Sequence, residues 1–146
     1  MRALRLTIVA ALSAVALSAC LSTPAPTAEV GDCLNVSEFG AEVTELPTVS
    51  CDDAHEAEVF NVFDVTHEGD YDETAVLTEV EETCVDGFEP FVGLEFESSE
   101  LDVYYLYPQA EGWSSGDREA ICMVYSPNWE TGEIIEVEGT LEGAAR

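Results

Sequence analysis

Five cysteines, at positions 20, 33, 51, 84 and 122, constrain this chain more than any other feature. An odd count in an exported protein leaves one thiol to explain. The first of the five ends a segment reading MRALRLTIVAALSAVALSAC. Arg2 and Arg5 form its positive start, an apolar stretch runs from Leu6 to Leu17, and the small residues Ser18 and Ala19 precede Cys20. That is the anatomy of a secretory signal. Its apolar stretch, 12 residues long, falls short of the roughly 20 that span a bilayer, so residues 1–19 are expected to be removed rather than retained in the membrane. Setting Cys20 aside leaves Cys33, Cys51, Cys84 and Cys122, an even number in an oxidising compartment, which reads as two disulfides. Three pairings are possible. The pairing expected here joins Cys33 to Cys51 and Cys84 to Cys122, across separations of 18 and 38 positions, each contributing about 3–4 kcal/mol by restricting the unfolded chain.

Leu17-Ser18-Ala19-Cys20 resembles a lipobox, the bacterial signal at which a cysteine receives a diacylglyceryl group and becomes the new N-terminus. Two acyl chains hold a protein stably at a membrane, where one is marginal. Residues 20–29 then read as a lipidated N-terminus and a Ser/Thr/Pro tether of the extended kind that holds a domain off a surface. These features imply localisation on the extracytoplasmic face of the cell membrane. The 127 residues from Cys20 onward make one domain's worth of chain, and residues 30–146 are expected to form it.

Charge narrows the partners. There is no lysine, and Arg2 and Arg5 lie in the signal, so two arginines, Arg118 and Arg146, face 31 acids and the mature protein carries a net charge of −29. Such a surface repels nucleic acid and acidic lipid and favours a soluble monomer.

The pattern along residues 30–146 predicts an α+β domain, an antiparallel sheet of about four to five strands with one main amphipathic helix packed on it. Val30–Val36 reads as an opening strand, followed by a loop from Ser37 to Val49. Glu58–Val65 carries apolar residues on both parities, which places it mid-sheet with both faces covered. From Asp72 to Phe88 the period changes: Val76, Leu77, Val80, Cys84 and Phe88 recur at helical steps, with Asp70 and Glu73 as a capping box and Gly87 and Pro90 marking the end. Leu101–Tyr107 and Glu119–Tyr125 read as strands rich in β-branched and aromatic residues, with a loop from Gln109 to Asp117 between them. The tail from Ile134 to Leu141 is expected to add an edge strand.

Several segments together resemble the septum formation family of actinobacteria: Val30-Gly31-Asp32-Cys33-Leu34, Cys51 through Val59, Tyr104-Tyr105-Leu106-Tyr107-Pro108, and Trp113 leading to Gly116-Asp117-Arg118-Glu119 and Cys122. Ala54 stands where the family pattern usually has proline. The resemblance implies a module tethered outside the membrane with a part in division or wall synthesis at the septum.

Among candidate site residues, His55 lies four positions after Cys51 with Glu56 and Glu58 nearby. A metal there would need a free thiolate or a second converging imidazole, and a bridged Cys51 leaves a histidine that shapes a loop. A Cys-His nucleophile fails for the same reason. Arg118, the one basic residue within the folded region apart from the C-terminal Arg146, suits an ion pair that relieves repulsion. With Tyr105, Tyr107 and Trp113 it could instead form an aromatic-cationic recognition patch, since these residue types anchor interfaces. No Gly-rich phosphate loop, nucleophile elbow or His-Glu-x-x-His stretch occurs, and no cofactor or metal is implied. The function expected is a non-catalytic binding or scaffolding module that engages an envelope or division protein. The alternatives are a small carboxylate-dependent hydrolase of wall glycan, since many acids always supply a pair, and a surface-coat lipoprotein in which charge alone matters.

Overall fold

The computed structural model describes residues 26–40 and 43–146. The signal, the lipobox with Cys20 and most of the tether lie outside the described residues. The chain forms β1 (Cys33–Leu34), β2 (Thr48–Val49), β3 (Ala57–Asp64), α1 (Glu73–Val92), β4 (Asp102–Leu106), α2 (Ala110–Ser114), β5 (Glu119–Pro127) and β6 (Ile134–Ile135), with single 3-10 turns at Val36–Glu38 and Phe96–Ser98. The strands make one curled antiparallel sheet in the order β2-β1-β3-β5-β4, and β6 pairs with the end of β5. The α+β class, the main helix on the sheet and both disulfides, Cys33–Cys51 and Cys84–Cys122, are as the sequence predicts.

Both faces of the sheet are buried, and β5 accounts for it by alternation. Ala120, Cys122 and Val124 point to the helix side, Ile121 and Met123 to the other. On the helix side α1 presents Val76, Val80, Cys84, Phe88 and Val92, one residue every four, and all five are fully buried. That spacing keeps a single stripe facing the sheet. On the far side Leu34, Val36, Ala57 and Val59 join Ile121 and Met123 under a partial cover of Ala28, Phe39 and Leu46 from the N-terminal segment.

A register shift between Val59 and Asn61 marks a bulge in β3 at Phe60. A bulge adds a residue and reverses the alternation after it. Ala57 and Val59 therefore face away from the helix, Phe60 and Phe63 face it, and Val62 returns to the far side. The apolar residues on both parities are thus explained, and β3 is the middle strand, as expected.

Several local expectations need correction. The helix is capped by Asp72, not by Asp70 with Glu73: Asp72 Oδ1 accepts from the amides of Thr74 and Ala75 at 3.0 and 3.1 Å, a reach open only to the residue immediately before the first turn. Nor does the helix end at Gly87 and Pro90. Gly87 is a packing position: a Cβ there would lie 3.3 Å from Asn61 Nδ2 and 3.4 Å from the Phe60 ring, a tight fit where α1 crosses the bulge. Pro90 costs one amide near the exposed end of the helix. The helix stops at Gly93, whose φ of 84° turns the chain left-handed and whose N–H donates to the Glu89 carbonyl at 2.8 Å. The opening strand shortens from Val30–Val36 to two residues. The expected loop from Ser37 to Val49 contains β2, and the one from Gln109 to Asp117 contains α2.

The C-terminal tail does more than add an edge strand. Val137 bridges to the backbone of His55, the Gly139 amide donates to the Cys51 carbonyl at 2.6 Å, and the amides of Gly143 and Ala145 donate to the carbonyls of Phe91 and Val92. The tail thereby ties the Cys51 loop to the end of α1.

Candidate functional site

Trp113 is 5% exposed and faces the helix-side core from α2. Its indole N–H donates to the Gly69 carbonyl at 3.0 Å, and the rings of His67 and Tyr71 lie 5.8 and 5.9 Å away, centroid to centroid. Arg118 stacks on it, with Cζ 3.4 Å from the ring centroid. The guanidinium Nη1 also donates to the Trp113 carbonyl at 3.0 Å and the Asp117 carbonyl at 2.5 Å. The expected ion pair is therefore replaced: among the described residues the hydrogen bonds of Arg118 go to carbonyls, because the turn after α2 aims them and the ring at it. A guanidinium over an indole face is held by the ring quadrupole.

Tyr105 and Tyr107 lie on and just after β4, with ring centroids 6.1 Å apart. The Tyr105 hydroxyl donates to Glu81 Oε1 of α1 at 2.8 Å. Burial, and then the hydrogen bond and charge of Glu81, push the phenol up to about 12. The four aromatic and cationic residues thus divide into a Trp113–Arg118 stack and a Tyr105–Tyr107 pair tied to the helix through Glu81; Trp113 is buried, and the other three are half-buried.

A related tie runs through Glu79, which accepts from the amides of Thr66 and His67 at 2.6 and 3.1 Å. Burial alone would raise its carboxyl, but those two donors outweigh it and hold the group below the ordinary carboxylate range. Glu119 is the opposite case. Burial, then repulsion from Asp117 and Asp64, raises its carboxyl, and its Oε1 is buried without a partner. A carboxyl raised in the folded state contributes stability below its unfolded pKa and loses that contribution as pH rises through the folded value. Glu119→Gln is accordingly expected to raise the thermal midpoint near neutral pH. The gain should vanish in acid, below the carboxylate range, in thermal unfolding followed at both conditions.

His55 is fully buried between the Cys51 loop and the tail. Its Nδ1 lies 2.9 Å from the Asp53 carbonyl, and its backbone exchanges hydrogen bonds of 2.9 and 2.8 Å with Val137. Nearby Glu58, 2% exposed, accepts from Thr140 Oγ1 at 2.7 Å and from the Leu141 amide at 2.5 Å. The sequence flags His55 but gives Glu58 no role of its own, since its partners lie more than 80 positions away.

Trp129 carries no local pattern that marks it as a site. This residue is 70% exposed, on the turn between β5 and β6, and Ile135 of the same hairpin is 45% exposed. The turn is rigidly built: Asn128 Oδ1 accepts from the amides of Glu130 and Thr131 at 3.0 and 3.2 Å, and the Asn128 N–H donates to the Glu133 carbonyl at 2.7 Å. The turn residues are legible in sequence, but the exposure of the indole is not.

Among the described residues, no helix is long and apolar enough to cross a membrane. A family model described as "Septum formation" matches residues 28–146. No curated protein and no solved structure matches.

Proposed function

The chain belongs to the septum formation family, and from that premise we propose that it is a lipid-anchored, non-catalytic module that binds an envelope or division protein outside the cytoplasmic membrane. Membership suggests a role in cell division or the envelope, in a family not known as one of enzymes. The anchor rests on the lipobox-like Leu17-Ser18-Ala19-Cys20 and the signal before it.

The observation that carries the binding reading is Trp129. A large aromatic ring displayed on an ordered turn offers apolar area to a partner, and tryptophan is among the residue types that anchor interfaces. The partner is a protein of basic or neutral surface, since a domain with a net charge of −29 repels anionic ones.

Deleting the gene is expected to disturb septation or envelope integrity. The wild-type chain should restore them, while Trp129→Ala and Cys20→Ala should not. Loss of an anchoring tryptophan costs about 2 kcal/mol or more of binding, roughly thirtyfold in affinity. A surface change of this kind moves stability by no more than about 0.5 kcal/mol. Full rescue by Trp129→Ala would remove the hairpin from the reading, and unmodified Cys20 in the mass spectrum of the cellular protein would remove the anchor.

A further inference from the structure

Cys33, His55 and Glu58 come from β1, from the loop before β3 and from β3, and all three are buried. The Cys33 sulfur, a ring nitrogen of His55 and a carboxylate oxygen of Glu58 lie within 4.8 Å of one another. We propose that they form a latent site for a divalent transition cation of the zinc type, closed while Cys33 is bonded to Cys51 and opened when that disulfide is reduced.

The tautomer of His55 favours it. A carbonyl can only accept, so Nδ1, 2.9 Å from the Asp53 carbonyl, carries the proton. In the neutral ring Nε2 then holds a bare lone pair, and Nε2 is buried with no hydrogen-bond partner. A buried polar atom left without a partner is costly, and an imidazole whose other nitrogen is fixed by a backbone carbonyl is the arrangement metal ligands adopt. Glu58 is likewise held in orientation, Thr140 donating to one carboxylate oxygen and the Leu141 amide to the other, with a second lone pair left on each. Sulfur, nitrogen and oxygen ligands about 2.0–2.3 Å from zinc stand about 3.3–3.8 Å apart in a tetrahedron, so contraction by roughly 1 Å closes the set. The fourth place falls to the freed Cys51 or to water.

The geometry also sets the order of events. Cys33 is 1% exposed and Cys51 is more open. A dithiol therefore attacks the Cys51 sulfur, the S–S bond breaks, and the Cys33 thiolate leaves beside His55 and Glu58. The second thiol of the reductant then displaces Cys51, so the dithiol ends as a disulfide, two electrons having passed to the two protein sulfurs and two protons remaining for them. The cation takes the place of the proton on Cys33, which passes to solvent. Cys84 and Cys122, both fully buried, stay bonded.

The test uses the full chain with Cys20→Ala, which removes the one unrelated thiol, and cobalt(II) as the probe. Adding Cys51→Ser frees Cys33 without any reductant. One equivalent of cobalt should then bind with a sulfur-to-cobalt charge-transfer band, the disulfide-bonded chain should give none, and His55→Gln on the Cys51→Ser background should lose the band. A folded Cys51→Ser chain without the band, or a band unaltered by His55→Gln, overturns the proposal. If Cys51→Ser does not fold by near-ultraviolet circular dichroism, the Cys51-intact chain reduced with a water-soluble phosphine, which becomes its oxide at the expense of water, gives the same reading. The band should appear on reduction and disappear on reoxidation, and its absence from the reduced chain overturns the proposal equally.

Discussion

Trp113→Ala is expected to destabilise the domain by about 3–5 kcal/mol, the range for truncating a large aromatic side chain in a core, in chemical unfolding followed by circular dichroism. Three losses coincide there. The indole leaves a cavity beside His67 and Tyr71, the Gly69 carbonyl loses its donor, and Arg118 loses the ring it stacks on. Gly69 lies in an exposed loop, so water can replace the lost donor and the cavity carries most of the cost. Trp113→Phe keeps much of the volume but not the N–H, and should fall between the two. The contrast with Trp129→Ala is the informative part, because one tryptophan should control stability and the other binding. Equal stability of Trp113→Ala and the wild type would mean that α2 is not anchored through this ring.

Removing the Cys84–Cys122 bridge is expected to have an effect of similar size. It joins the buried stripe of α1 to β5 across 38 positions, and releasing a loop of that length returns about 4 kcal/mol of conformational freedom to the unfolded chain. The double variant Cys84→Ala/Cys122→Ala should lose that much in equilibrium unfolding. The corresponding loss at Cys33–Cys51, 18 positions apart, is about 3 kcal/mol on the same basis. Small domains are stable by only about 5–15 kcal/mol, and 31 acids against two arginines in the mature chain add self-repulsion. The variant lacking the Cys84–Cys122 bridge should therefore recover stability as salt is added, since ions screen repulsion between exposed charges. An unchanged denaturation midpoint would show that the bridge only decorates a helix already held by Val76, Val80, Phe88 and Val92.

The candidate site was partly legible. His55 stood out because it follows Cys51 closely and is one of only two histidines, and the structure buries it at the meeting of three segments. Tyr105, Tyr107, Trp113 and Arg118 were read together from residue type alone. Type does not say whether a ring faces solvent: Trp113 is buried, while Tyr105, Tyr107 and Arg118 are half-buried, with Tyr105 tied to Glu81 of α1 and Arg118 to the turn after α2. Trp129 carried the same chemical signal and was passed over, since nothing local distinguishes a displayed tryptophan from a packed one.

What the sequence settled alone was what local pattern and parity decide. The period of Val76, Val80, Cys84 and Phe88 fixed a helix and its inner face, runs of apolar, β-branched and aromatic residues fixed the three long strands, and the even count of cysteines after Cys20 fixed two bridges. Each of these follows from neighbours in the chain or from simple counting. Tertiary structure decided the bulge at Phe60, the close approach of Gly87 where the helix crosses it, the tail that seals His55, and the hold of Glu58 on Leu141 across 83 positions. Those depend on contacts between residues remote in sequence, whose favourable energy appears only once the sheet has brought them together.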